Sequence, residues 1–518
     1  MNFEVILVTA RSITVEILDH GYFSSEEDHE ILIDGVVVEK SNCNVAAVYG
    51  LNPGTVYQVQ VKYNNECSEI CNIETKQESV TLNVKDFGAK GDGVSDDTTC
   101  IQCAIMACPK DGRVYIPAGI YKITPIFLKS DLIIDLDKDA TLSAFTERER
   151  FPILPGRIEC NDAEKEYLLG TWEGDPADMF AGIITGINVS NVLITGQGSI
   201  DGCASEENWW HDPKTKRIAW RPRMVFLNHC ENVTMHGVTV KNSPSWNIHP
   251  YFSNHLKFIG IQVTGPKDSP NTDGLDPESC RNVDIIGVRF SVGDDCIAIK
   301  SGTIYMGKKY KTPSENLTIR QCCMRDGHGS IVIGSEMAGG VKGLRVQNCL
   351  FLHTDRGLRI KTRRGRGEDA VVTDVIFENI YMDHVMTPVV MNEFYFCDSD
   401  GHTDYVQSKD PYPVDDRTPF LGDFIFRNIQ ADNCHAAASY MYGLPEKKIN
   451  HVIFENVSVK FAENPMSGVP AMMDGVDEVS RLGLFAKNIH KLELKNVTVD
   501  GQIGDAFIEA DLDEVIRS

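Results

Sequence analysis

The chain has 518 residues, of which 42% are apolar, so it is long enough for two domains or one elongated one and rich enough in apolar side chains to fold. Its 50 basic and 74 acidic residues give a net charge of −24. That balance argues against nucleic acid or anionic membrane as a partner met through a broad surface, and an acidic ligand would need a local basic patch.

The N-terminus, "MNFEVILVTARSITVEI", carries no basic leader and no apolar stretch of signal-peptide length, and reads as strand. No run anywhere is long enough to span a membrane. Sixteen cysteines are present, but Cys100/Cys103, Cys67/Cys71 and Cys322/Cys323 complete no zinc pattern. Reduced thiols and a cytoplasmic location are the resulting expectations, with no metal and no cofactor.

Residues 1–78 alternate apolar and polar in short runs such as "SITVEIL" and "VYQVQVKY", the pattern of a small β-sandwich. "LNPGTVYQVQV" resembles the tyrosine-corner segment of fibronectin type III domains, with Tyr57 in the corner position. A polar linker, "ETKQES", follows at 74–79, and a second domain is expected over 80–518. It begins with a strand, a Gly/Asp turn and a helix capped by Asp96 or Asp97. Ile101, Ala104, Ile105 and Ala107 form the helix's apolar face, suited to covering the open end of a strand stack.

From residue 188 one pattern recurs, in "NVLITGQGSI" at 191, "NVTMHGVTVKN" at 232, "HLKFIGIQV" at 255 and on to "KLELKNVTV" at 491. Each copy is a strand, a small or polar corner and a second strand, and the closest copies lie 23 to 27 residues apart. That period with single-residue corners predicts an all-β right-handed parallel β-helix. The five N-x-S/T matches fall on corners and read as corner asparagines rather than glycosylation sites.

Registering the third strand of each rung aligns "DGLDP" at Asp273, "DCIAIK" at Asp295, "GSIVIG" at Gly329 and "RGLRIK" at Arg356. Asp273 and Asp295 then occupy equivalent positions on neighbouring rungs about 4.8 Å apart. One position earlier, Asp294 aligns with His328. Arg359 and Lys361 share a face of a later rung, with Lys361 in register below Lys300. Three close carboxylates cannot all ionise freely, so one keeps a proton and serves as general acid while the other two activate a water. This is equipment for glycoside hydrolysis, and Arg359 and Lys361 suit a sugar carboxylate. Arg363, Arg364 and Arg366 extend the basic patch.

With these motifs in place, "NTD" at 271–273, "DD" at 294–295, "GHG" at 327–329 and "RIK" at 359–361, the sequence resembles glycoside hydrolase family 28, the polygalacturonases, over about residues 80–518. The resemblance implies Asp294 as general acid, Asp273 and Asp295 as water activators, His328 as support for the acid, and Arg359 and Lys361 as holders of the galacturonate carboxylate. It implies inversion of configuration. Asn271, Lys300, Arg364 and Tyr395 in "NEFYF" are further substrate-binding candidates. The fibronectin-like module and the fuller run "NTDGLDPES…SVGDDCIAIKSG" resemble bacterial exo-acting members, which implies release of galacturonate or digalacturonate from chain ends. Segments 147–180, 203–224 and 397–420 are long enough to close one end of the cleft, with Trp209, Trp210, Trp246 and His249 at the closed end. The alternatives are an endo-acting or rhamnogalacturonan-type hydrolase, a Ca²⁺-dependent pectate lyase and a non-catalytic β-helix sugar-binding protein.

Overall fold

The architecture follows from two hydrogen-bonding regimes that change at residue 80. The computed structural model describes residues 2–19, 21–64, 66–159 and 166–518. Residues up to Glu74 pair antiparallel in two sheets. One holds β1 (Phe3–Val8), β2 (Ser12–Ile17) and β5 (Val45–Tyr49). The other holds β3 (Ser24–Ile33), β4 (Val36–Cys43), β6 (Val56–Tyr63), β7 (Glu66–Cys67) and β8 (Cys71–Glu74). Alternate side chains Ile13, Val15, Ile31, Val59 and Val61 meet between them as a separate core. At the turn into β6 the Asn52 N–H donates to the Tyr57 hydroxyl at 3.0 Å, the bond a tyrosine corner makes.

From Thr81 onward the rungs pair parallel, while short two-residue strands in the insertion between residues 153 and 180 pair antiparallel. Helix α1 (Thr98–Ala107) closes the first rung, burying Ile101, Ala104 and Ile105 against Ile116, Ile126 and Ile134. Ala107 stays exposed and Cys108 is buried in its place. Asp97 stands at the N-cap position but makes no cap bond, its carboxylate accepting from the Lys90 and Gly91 N–H groups instead, while Asp96, one residue earlier, accepts from the Thr98 N–H at 3.0 Å. Successive rungs stack through a 23-stranded sheet. Within it Val192, Val233, Leu256, Val283, Leu317 and Leu344 lie directly over one another as a buried aliphatic ladder. The chain is therefore the expected right-handed parallel β-helix.

The corners carry the register. All five N-x-S/T asparagines, Asn188, Asn232, Asn316, Asn456 and Asn496, have φ between 51° and 62°, the left-handed region asparagine tolerates. Their neighbours in the stack share side-chain bonds, as in Asn496→Asn456→Asn428→Asn379 at 3.0 to 3.1 Å.

The sandwich docks on the rim of this long sheet. Buried His236 is hydrogen-bonded through Nε2 to the Thr14 hydroxyl at 2.8 Å and through Nδ1 to the Thr195 hydroxyl at 2.9 Å, one ring nitrogen donating and the other accepting, with the Tyr49 ring stacked at 5.3 Å. Glu16 pairs Arg320 at 2.8 Å. A Cβ on Gly287 would strike Val45 at 2.5 Å, so the absence of a side chain there admits the sandwich. Among the described residues no helix is long and apolar enough to cross a membrane. Fifteen cysteines are free thiols; Cys160, and residues 160–165 of the predicted 147–180 closing segment, lie outside the described residues.

Candidate active site

The site forms on a second wall of the helix, where short strands stack as Leu275↔Ile297↔Ile331↔Leu358. This register puts Asp273 level with Asp295, and Asp294 level with His328, as the sequence alignment predicts. The interior side chains of these strands are apolar, so alternation sends Asp276, Glu278, Lys300, Arg359 and Lys361 to the outer face. Asp273, Asp294 and Asp295 sit where the chain turns into the strands. Backbone bonds from Gly274 N to Asp295 O (2.9 Å) and from His328 N to Asp294 O (3.2 Å) tie the three turns together.

One oxygen from each of Asp273, Asp294 and Asp295 lies within 4.8 Å of the others. Asp273 and Asp295 are buried, at 4% and 1% exposure. Asp295 is flanked by Lys361 Nζ at 2.7 Å and Arg359 Nη1 at 3.7 Å. Asp294 pairs with His328 Nδ1 at 3.2 Å, on a ring that remains half exposed. Tyr395 is buried with its ring 5.8 Å from Lys361 Nζ.

The electrostatics follow from this arrangement. Burial, reinforced by the charge on Asp294, pushes the Asp273 carboxyl up to about 8. Burial would also raise Asp294, but the hydrogen bond and charge of His328 outweigh it and bring Asp294 down to about 2. The same bond raises His328 to about 9. One carboxyl of the trio therefore keeps a proton at neutral pH, as expected. In the free site that carboxyl is Asp273, whereas the sequence reading gave the proton to Asp294. Three close carboxylates also suit a hard cation. Here Lys361 and Arg359 already bring positive charge to the deepest of them.

Four expectations need correction. Lys300 is in register with Lys361 but only 3% exposed; its Nζ lies 3.0 Å from Glu336 and 4.5 Å from the Trp246 ring centroid, so a covering segment takes it out of the cleft. Arg364 is buried and saturated by Glu446 at 2.6 Å and by the carbonyls of Tyr405, Ser408 and Asp410. Arg363 and Arg366 pair with Asp398, so the basic patch is neutralised internally rather than presented to substrate. Trp209 is fully buried against Phe151 and Phe180 and lines no cleft. Asn271 stays partly exposed beside Asp273, with its Oδ1 taken by Arg221 Nη2 at 2.8 Å.

The sequence reading also missed residues. Glu336 lies two positions after Gly334, the residue stacked between Lys300 and Lys361, so the register could have found it. Lys300 and Arg366 hold Glu336 ionised against the effect of burial. Arg221, Arg223 and Trp172 come from insertions, and no periodic signal marks them. Arg359 Nη2 rests on the Met472 sulfur, from a segment more than a hundred residues away.

Comparison with known proteins places these observations among relatives. A family model described as glycosyl hydrolases family 28 matches residues 158–473, and one described as rhamnogalacturonase A/epimerase, pectate lyase-like matches 81–134. A probable polygalacturonase of Vitis vinifera is 31% identical over 410 residues, covering 77% of each chain. An exo-poly-alpha-D-galacturonosidase of Dickeya chrysanthemi is 25% identical over 521 residues, covering 88% of this chain and 81% of its own. The solved family 28 exopolygalacturonase of Yersinia enterocolitica superposes with a TM-score of 0.72 at 21% identity, covering 99% and 98%, a likeness of fold across the whole chain.

Proposed function

We propose that this chain, which belongs to glycosyl hydrolases family 28, is an exo-acting polygalacturonase that hydrolyses α-1,4-galacturonosidic bonds from the ends of oligogalacturonides. The observation that carries this reading is the Asp273/Asp294/Asp295 cluster, bounded by His328 on one side and by Lys361 and Arg359 on the other. The likeness to the Dickeya exo-poly-alpha-D-galacturonosidase supports the exo mode.

The reaction needs one proton donor and one activated water. In the resting trio the proton is on Asp273 and Asp294 is ionised. Transfer of that proton within the trio to Asp294 gives the productive form, an Asp294 acid and an Asp273 base. Asp294 then gives its proton to the leaving glycosidic oxygen as the C1–O bond breaks. The water, losing a proton to Asp273 or Asp295, forms the new C1–O bond. Arg359 and Lys361 hold the sugar carboxylate.

Inversion is part of the reading. The trio is tighter than the roughly 6.5–9.5 Å usual between inverting carboxyls. What supports inversion is that neither inner carboxylate is free to attack carbon: Asp295 is clamped by two cations and Asp273 is held by burial. The free thiols support a reducing compartment, and a fibronectin type III-like role for the N-terminal module remains a structural one, to seat the helix rim.

The test is the product profile on trigalacturonate and polygalacturonate, run once with added Ca²⁺ and once with EDTA, with the first-formed anomer read by NMR. Saturated galacturonate with inverted anomeric configuration is expected. Unsaturated, ultraviolet-absorbing products that vanish with EDTA would establish the lyase instead.

A further inference from the structure

The wall that carries the catalytic column continues past Arg359. The outward positions that follow Arg359 in its stack are Val390, Tyr440 and Phe485. They would be floor for a bound chain, yet Val390 and Tyr440 are only 2% and 8% exposed. What covers them is a segment with no periodic signal, residues 463–480, between the strands Ile449–Phe461 and Leu482–Lys487. Its Ala471 and Met473 are buried in one apolar cluster with Val390, Phe394 and Tyr440.

Polar bonds hold this segment across the wall as a strap. Gly468 and Val479 exchange backbone bonds at 3.0 Å, which closes its base. Arg356 stands two positions before Leu358, as Asp273 and Asp295 stand before Leu275 and Ile297. From that column it donates to Pro470 O (3.2 Å) and Val469 O (2.5 Å), while Asn392 Nδ2 donates to Met472 O (3.0 Å). Met472 is thereby set against the Arg359 guanidinium. Beyond Met472 the strap turns acidic, with Asp474, Asp477 and Glu478 all exposed. Asp474 pairs with His402 at 2.8 Å, and among the described residues no ion pair joins Asp477 or Glu478.

We infer that the 463–480 strap restricts recognition of the leaving chain to the sugar next to the broken bond, so that the enzyme favours the shortest oligogalacturonides and gains nothing from longer ones. This rests on the polygalacturonase reading above. The acid Asp294 pairs with His328, whose rung lies between those of Asp295 and Arg359, so the departing sugar stands on the Arg359 side. The rung after Arg359 offers the next sugar no floor, because Val390 is buried with Ala471 and Met473. That sugar must leave the wall beside the strap, where Asp477 and Glu478 repel the carboxylate it carries. The repulsion reaches about 30 Å at 10 mM salt and about 10 Å at 100 mM.

The experiment measures kcat/KM on di-, tri-, tetra- and pentagalacturonate at low and at high NaCl. At low salt the value on digalacturonate is expected to match or exceed that on pentagalacturonate, and any excess should shrink at high salt. A value that climbs with chain length, by about threefold or more from di- to pentagalacturonate, would overturn the inference while leaving the hydrolase reading intact. No cleavage of any galacturonan would overturn both. In the double variant Asp477→Lys/Glu478→Lys the low-salt ratio of pentagalacturonate to digalacturonate should rise about fivefold, with digalacturonate itself unaffected. A folded variant with an unchanged ratio would refute the strap's place beside the departing chain. If the double lysine variant does not fold, Asp477→Asn/Glu478→Gln carries the same expectation in smaller degree.

Discussion

Lys361 Nζ lies 2.7 Å from Asp295 Oδ2 although the two residues come from strands two rungs apart, and both are nearly excluded from solvent. A buried carboxylate this well paired is costly to leave alone. Lys361→Met should lower kcat/KM by roughly 10² to 10³, the range for loss of one preorganised charge partner. It should also destabilise the fold by about 3 kcal/mol, the low end for breaking a buried pair because Arg359 remains 3.7 Å away. Steady-state kinetics on trigalacturonate and thermal melting check both. An unchanged Tm would mean that the pair contributes no net stability.

Asp294 is the only member of the trio that reaches the half-exposed His328. Asn at position 294 should cost roughly 10² to 10⁴ in kcat, as loss of a general acid does, with KM little changed. A galacturonide with a strongly acidic leaving group needs less protonation and should lose much less. An equal loss on both substrates would place the acid elsewhere, Asp273 first.

The trio's alkaline behaviour depends on its retained proton. Asp273 sits near 8 in the folded chain against an ordinary value near 4, so its contribution to stability is present at low pH and is lost as pH rises through about 8. kcat/KM should therefore fall above about pH 8, with the apparent value belonging to the coupled set. His328 is raised, so the His328–Asp294 pair weakens as pH climbs through about 9, and solvent at the half-exposed ring limits its weight. His328→Gln should move the pH profile as well as lower the rate.

At the junction of the two modules the sign is opposite. Burial lowers His236 to about 4, so the stability of the neutral form is present above the ordinary value near 6.5 and is lost as pH falls toward 4. A shift of that size corresponds to roughly 3 kcal/mol. Melting curves from pH 7 to pH 4 should show this loss, and His236→Gln should flatten it. An identical acid slope in the variant would assign the slope to other groups.

Asn316 tests the corner ladder. It stands at φ 62° and donates to Asn282 at 2.5 Å. Asn316→Gly keeps the backbone and loses the bond, for about 1 kcal/mol. Asn316→Ala adds the left-handed penalty, roughly 1 kcal/mol more. Chemical denaturation of the two variants separates bond from strain.

The legible part of the molecule is the part with a period. Strands that alternate strictly fix their own register, which is why "DGLDP", "DCIAIK", "GSIVIG" and "RGLRIK" could be stacked from letters alone and Asp273, Asp294, Asp295 and His328 brought together. The same logic marked the asparagine corners. It fails where insertions fold back. Arg364 looks like substrate equipment until Glu446, 82 positions later, proves to be its partner. Lys300 stands in the right column, but Glu336 takes its charge and the Trp246 ring lies beside it. Which proton the trio keeps is equally hidden, because burial depth and the reach of one imidazole decide it.

The corner asparagines also limit how this active site can vary. Each rung is the same vertical step, so the offset between Asp273 and Asp295 is set by the backbone lattice and not by any side chain. Chemistry on such a scaffold can be relocated only in whole steps. A segment removed or added must be an integral rung to leave the catalytic column in phase, and a single-residue slip anywhere below it would turn carboxylates inward and leucines outward.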